Sequence, residues 1–69
     1  MKLEWDWDSS GEVGDVWAGD RAFLVTLKRQ GREWRWVVWT ETARVGKGTA
    51  KSHGGALNAI RGAVERAVK

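Results

Sequence analysis

The chain has 69 residues, six tryptophans and no cysteine, and its formal net charge is +3 at pH 7. This length predicts one small domain spanning residues 1–69. The lack of cysteine excludes disulfides, thiolate zinc sites and iron–sulfur clusters, and a single histidine leaves little for another metal site. We therefore predict no metal and no cofactor.

The net charge hides an asymmetry between two parts of the chain. Residues 1–20 contain six acidic residues and one lysine, a local charge of −5. Residues 21–69 contain eleven basic and three acidic residues, a local charge of +8. This split indicates an anionic partner for the basic part, but the acidic segment could equally fold back on the basic one.

The first predicted element is a strand over residues 3–7, in which three apolar residues alternate with acids. Residues 8–20 are predicted to form a loop, with Val16-Trp17 as an anchor. Residues 1–20 are thus expected to be an acidic strand and loop at the start of the domain.

A β-hairpin is the clearest pattern in the chain. Residues 22–29 and 33–40 are rich in β-branched and aromatic side chains, and Gln30-Gly31 lies between them. A two-residue turn centred there predicts a register that places Lys28 opposite Glu33, an opposite-charge pair. The same register sorts the side chains into two faces. Trp34 and Trp36 are expected to point toward the core, and Arg35 and Trp39 away from it.

Residues 43–50 are predicted to form a third strand, which completes residues 21–50 as a hairpin plus one strand. Gly46 and Gly48 lie on its inner face, where glycines leave room for a tryptophan ring or a closely packed helix. Val45 is expected on the outer face, beside Lys47.

An amphipathic helix is predicted over residues 52–68, with Ser52 as its N-cap and an alanine-rich apolar side. The expected fold is therefore α+β. It consists of a small antiparallel sheet of three to four strands with one C-terminal α-helix packed on one face.

Three segments imitate functional motifs without completing them. Residues 6–11 start like a calcium loop, but Trp17 stands where the required glutamate should be. Residues 46–49 lack the first glycine of a phosphate-binding loop, because that position is Glu41. Free amides near Ser52-His53 suit an anion, although an ordinary capped turn explains this segment more simply. We predict no catalytic residue and no enzyme.

The remaining candidate is the face of the sheet that points away from the helix. Its aromatic and basic side chains suit base stacking and phosphate contact, and they equally suit a protein interface rich in tryptophan and arginine. The acidic N-terminal segment is a third candidate for covering this face. The candidate binding surface consists of Lys28, Arg35, Trp39, Arg44, Lys47 and Lys51.

Residues 44–49 (RVGKGT), preceded by strands and followed by an alanine-rich helix, are similar in their order to several small nucleic-acid-binding domains. Arm-type and plant AP2-type DNA-binding domains share the order of three strands and a helix. The final third of the double-stranded-RNA-binding domain is also similar, but its preceding helix is missing here and its lysine cluster is reduced to Lys51. The resemblance covers about half of the chain and carries no functional residue across.

These patterns predict a non-enzymatic binding module. The first hypothesis is a protein-interaction or self-associating accessory protein, of the kind found in phages and mobile elements. The alternative is a nucleic-acid-binding module that uses the basic and aromatic sheet face. The longest apolar run, residues 36–39, is far shorter than the roughly 20 residues that span a bilayer, so we expect a cytoplasmic protein without a membrane partner.

Overall fold

The computed structural model describes residues 2–68, which form one five-stranded antiparallel sheet followed by a helix. Each strand pairs with the next one along the chain, so β1 and β5 are the edges of the sheet. The α+β class and the C-terminal helix are confirmed, and the sheet has five strands where three to four were predicted. The elements are β1 (Leu3–Trp7), β2 (Val13–Ala18), β3 (Arg21–Gln30), β4 (Glu33–Trp39), β5 (Arg44–Ala50) and α1 (His53–Ala67).

The additional strand is β2, which lies inside the segment predicted to be a loop. Val16 and Ala18 are buried and alternate with exposed neighbours, as a half-buried strand requires. Gly14 and Asp15 are residues that strands usually avoid, and they weakened this pattern in the sequence. Gly19, with a φ of 65°, begins the two-residue turn that returns the chain into β3.

The central hairpin forms with a register two residues away from the predicted one. Gln30 pairs with Glu33, and Lys28 therefore lies opposite Arg35 rather than opposite Glu33. The turn begins at Gly31, whose φ of 61° suits the first position of a type II′ turn, where glycine is preferred. Because the shift is even, every side chain keeps its predicted face.

The core lies between α1 and one face of the sheet. The helix packs across β3, β4 and β5, and its buried side chains meet those of the strands. Burial of this apolar surface is the main stabilising contribution to so small a fold. The buried residues are Val16, Ala18, Phe23, Val25, Leu27, Trp36, Val38, Ala56, Ile60, Ala63 and Val64.

Glycines in β5 let the Trp36 ring and the helix pack closely on the sheet. A Cβ atom at Gly48 would lie 3.0 Å from Cζ2 of Trp36. A Cβ atom at Gly46 would lie 2.9 Å from the Cβ of Ala63 in α1. The predicted role of these two glycines is therefore confirmed. The Trp36 Nε1 atom is buried without a hydrogen-bond partner, and this unsatisfied N–H group lowers the stability of the fold.

Tryptophans cover the part of the sheet that α1 does not reach. Trp5 and Trp7 in β1 stack with their ring centroids 6.0 Å apart. Trp7 lies against Gly14 in β2, where a Cβ atom would come within 2.8 Å of the ring. Leu3 packs beside them at the margin of the core. The edge strand thus shields β2 with its own side chains.

Both ends of α1 are fixed by side chains. At the N-terminus the Ser52 hydroxyl accepts a hydrogen bond of 3.0 Å from the Gly55 N–H, so the predicted N-cap is confirmed. At the C-terminus Arg21 of β3 donates to the Ala67 carbonyl at 3.2 Å, where a cation also complements the helix dipole. No helix within residues 2–68 is long and apolar enough to cross a membrane.

Candidate binding surface

The surface of the sheet opposite α1, which we call the open face, exposes four large apolar side chains. They belong to the three central strands β2, β3 and β4, so they form the middle of this surface. Exposed large apolar residues that lie together mark interaction sites more often than isolated ones do. They are Val13 (38% exposed), Trp17 (42%), Leu24 (46%) and Trp39 (38%).

One row of cross-strand partners crosses the whole open face and contains one residue from each strand. From β1 to β5 its members are Asp6, Asp15, Leu24, Trp39 and Arg44. Directly opposed residues of an antiparallel sheet point to the same side. The row therefore passes from two carboxylates through two apolar side chains to one guanidinium group.

The neighbouring rows extend this polarity over the rest of the open face. Glu33, at the turn end of β4, is an exception on the basic side. The open face therefore has an acidic half, an apolar middle and a basic half. The acidic half carries Glu4, Asp6 and Asp15, and the basic half carries Lys28, Arg35, Arg44 and Lys47.

Each half contains a pair of like charges placed directly opposite each other. Asp6 lies opposite Asp15 between β1 and β2, and Lys28 lies opposite Arg35 between β3 and β4. Like charges in directly opposed positions destabilise a sheet. The isolated chain therefore carries two repulsive pairs that a partner of complementary charge would relieve.

Five of the six residues predicted to form the binding surface lie together on the open face. Arg35, Arg44 and Lys47 line a shallow groove of about 450 Å³ beside Trp39. Lys28 lies next to this group, opposite Arg35. The sixth residue, Lys51, lies outside the sheet, in the connection between β5 and α1.

A β-bulge at the start of β5 places Arg44 on the open face. Trp39 pairs with Arg44 and Val38 pairs with Gly46, so Val45 is an extra residue without a direct partner. Val45 packs at the margin of the core. The expectation that Val45 shares the outer face with Lys47 is wrong, because strict alternation does not hold through a bulge.

Neither the acidic half of this surface nor Trp17 was predicted to belong to it. Both omissions follow from the loop predicted over residues 8–20, since a loop offers no face on which to align side chains. The alternation of Val13, Asp15 and Trp17 with the buried residues of β2 was the pattern that could have revealed them.

The segment that resembles a calcium loop forms the turn between β1 and β2. The Asp8 carboxylate accepts hydrogen bonds from the Ser10 hydroxyl at 2.6 Å, the Ser10 N–H at 3.0 Å and the Gly11 N–H at 3.1 Å. The bond from the Ser10 side chain is the main cause that lowers the pKa of Asp8 below its ordinary value. These bonds explain the pattern as an Asx turn.

The entrance of α1 is likewise explained by local packing. The Ser52 hydroxyl already accepts the Gly55 N–H, and the His53 ring packs edge-on against Trp34 with centroids 4.9 Å apart. Among the residues that the structure describes, His, Asp and Glu side chains form no group of three that could hold a metal ion.

No protein family, curated protein or solved structure matches this chain.

Proposed function

We propose that this protein is a non-enzymatic interaction module that binds another protein surface through its open face. The observation that carries the proposal is the exposed apolar middle of that face, formed by Val13, Trp17, Leu24 and Trp39. Tryptophan is enriched among the residues that contribute most to protein–protein affinity. The charged residues on either side provide the polar rim that such interfaces have.

The acidic half of the open face favours a protein over a nucleic acid as the ligand. Asp15 and Trp39 are two strands apart, about 10 Å at the usual strand spacing. That distance is close to the Debye length of about 10 Å at 0.1 M salt. A phosphate backbone crossing the face would therefore be repelled by Asp6 and Asp15. A protein surface can supply both positive and negative groups.

Site-specific photo-crosslinking tests which surface is used. A photoreactive amino acid is placed at Leu24 in the middle of the open face and, as a matched control, at Arg61 on the exposed side of α1. We expect a defined protein adduct from position 24, identified by mass spectrometry, and none from position 61. The adduct should weaken when Trp39 is replaced by Ala. Equal adducts from both positions, or none from position 24, would contradict the proposal.

Nucleic-acid binding is the competing outcome, supported by the groove that Arg35, Arg44 and Lys47 line beside Trp39. Fluorescence anisotropy with a mixed-sequence oligonucleotide at low and high salt distinguishes it. Binding that falls steeply as salt rises indicates phosphate contacts, and loss of binding in Trp39→Ala indicates base stacking. Both results together would replace the proposed function. We expect no oligonucleotide binding at physiological salt.

A further inference from the structure

We propose that the partner of the open face is a second copy of this chain. The two sheets pack face to face, related by a two-fold axis that runs parallel to the strands. This inference rests on the proposed function, because it names the partner of the same surface. It is carried by the polarity of the row Asp6, Asp15, Leu24, Trp39 and Arg44.

The symmetry brings opposite charges together. The axis is parallel to β3 and lies midway between the two sheets. Rotation by 180° about it places β1 of each copy over β5 of the other. Asp6 of each copy then faces Arg44 of the other, and Asp15 comes next to the opposing Trp39. Each contact occurs twice, as in every two-fold interface. Asp6 thus gains a basic neighbour from the second copy, whereas Lys28, which lies on the axis in β3, meets its own counterpart.

The other way of stacking two sheets is unfavourable. If the two-fold axis ran perpendicular to the strands, β1 would lie over β1 and β5 over β5. Asp6 would then face Asp6, and the basic halves would also face each other. Repulsion between like charges across an interface disfavours that arrangement. The charges of the two edge strands, Asp6 in β1 and Arg44 in β5, therefore favour the axis parallel to the strands.

The apolar middle of the open face fits the same axis. Leu24 lies in β3, the central strand, so it meets its own counterpart at the axis. Val13 of β2 and Val37 of β4 lie in one row of cross-strand partners, on either side of Thr26 in β3. The rotation therefore brings Val13 of each copy over Val37 of the other. Face-to-face packing of two such surfaces produces a β-sandwich interior with about 10 Å between the sheets.

The size of the open face predicts a modest affinity. Five strands at the usual spacing and about six residues each give a surface of about 24 Å by 20 Å. The area that such a surface can bury is at the small end of the areas buried in specific complexes. We therefore expect a dimer with a dissociation constant on the order of micromolar, which becomes fully populated only in concentrated solution.

Charge exchange between the two edges tests the inference. Asp6 and Arg44 are four strands apart in one chain, about 19 Å, and cannot contact each other within it. Any energetic coupling between them must therefore act between two copies. Dimerisation of the full chain is measured by sedimentation equilibrium for the wild type, Asp6→Arg, Arg44→Asp and the double variant.

We expect each single substitution to raise the dimer dissociation constant at least about tenfold, because an attractive pair becomes repulsive at two places. The double variant should return to within about threefold of the wild type, since the attraction is restored with reversed signs. A mixture of Asp6→Arg and Arg44→Asp should form a heterodimer more tightly than either variant forms a homodimer. Arg61→Asp is the matched control and should leave dimerisation unchanged.

The outcomes separate this inference from the proposed function. A wild-type chain that stays monomeric in concentrated solution overturns the second copy as partner, while the adduct at position 24 still decides whether the open face binds protein. A dimer that is insensitive to Asp6→Arg and Arg44→Asp overturns the proposed arrangement. Circular dichroism of each variant confirms that it is folded, and the mixture experiment needs only the two single variants.

Discussion

Two tryptophans three residues apart in β4 illustrate the difference between the two faces of the sheet. Trp36 is 7% exposed and lies beneath α1, whereas Trp39 is 38% exposed on the open face. Their cross-strand partners also differ: Trp36 lies between Leu27 and Gly48, and Trp39 lies between Leu24 and Arg44. An adjacent glycine lets a large ring lie flat and become part of the core. A charged neighbour at the sheet edge leaves the ring accessible for binding.

The largest expected difference between the two faces is in stability. Trp36→Ala should lower the free energy of unfolding by about 3–5 kcal/mol, because it removes a large buried ring and leaves a cavity. Trp39→Ala should cost at most about 1 kcal/mol, since it mainly loses its cross-strand contact with Leu24. Urea denaturation monitored by circular dichroism measures both. Similar losses for the two variants would contradict the assignment of one ring to the core and the other to the surface.

The close approach of the helix should also be sensitive to a single methyl group. Gly46→Ala should destabilise the protein by about 1–3 kcal/mol, because the new Cβ would lie 2.9 Å from Ala63 on the packed side of α1. Gly54→Ala is the matched control in the first turn of α1, where a Cβ meets no atom within 4 Å. It should instead stabilise by up to about 1 kcal/mol through helix propensity. Equal effects at both positions would exclude tight packing at Gly46.

A charge reversal at Lys28 distinguishes the observed hairpin register from the one predicted by the sequence. In the observed register the glutamate of Lys28→Glu would face Arg35, and the substitution should stabilise by a few tenths up to about 1 kcal/mol. In the predicted register the same glutamate would face Glu33 and destabilise the hairpin. Thermal denaturation in dilute solution gives the sign. Lys28→Gln should show a smaller gain, because it only removes the repulsion.

The smallest expected effect is at the turn between β1 and β2. Hydrogen bonds from Ser10 and Gly11 lower the pKa of Asp8 below its ordinary 3.8, so the folded state binds this proton less readily than the unfolded state. The resulting stabilisation is complete above about pH 3.8 and is lost as the pH falls through the folded-state pKa.

Thermal midpoints of the wild type and Asp8→Asn, measured from neutral to acidic pH, test this contribution. The difference between them should be largest at neutral pH and should disappear in acid. Ser10→Ala, which removes the shortest of these bonds, should make the difference smaller. A difference that is independent of pH would show that the carboxylate is not held in this way.

The sequence determined the face of most side chains but not their cross-strand partners. Alternating side chains in the hairpin identify its inner face regardless of the turn, which is why Trp34 and Trp36 were assigned correctly. The register depends on which residue takes a positive φ. Two-residue turns at Gln30-Gly31 and at Gly31-Arg32 are both compatible with the pattern of side chains. The turn at Gly31-Arg32 forms, because a type II′ turn prefers glycine with a positive φ at its first position.

Half of the candidate surface lies on strands whose local pattern is weak in the sequence. The basic half lies on strands with a clear apolar alternation, so most of its residues were predicted. The acidic half depends on β2, where the Trp7 ring packs against Gly14 and leaves no space for a side chain. The requirement for glycine comes from the neighbouring strand, and the glycine weakens the alternation that the other residues of β2 show. The bulge that turns Arg44 outward is a tertiary feature of the same kind.

The indole N–H signals of the tryptophans test the central claim most directly, because Trp17 and Trp39 lie on the open face and Trp5, Trp7 and Trp36 lie on the other. They are recorded by two-dimensional nuclear magnetic resonance while the protein concentration is raised. If the open face binds a second copy, the signals of Trp17 and Trp39 move with concentration and that of Trp36 stays constant. Movement of Trp5 and Trp7 with a constant Trp39 would contradict this account of the open face.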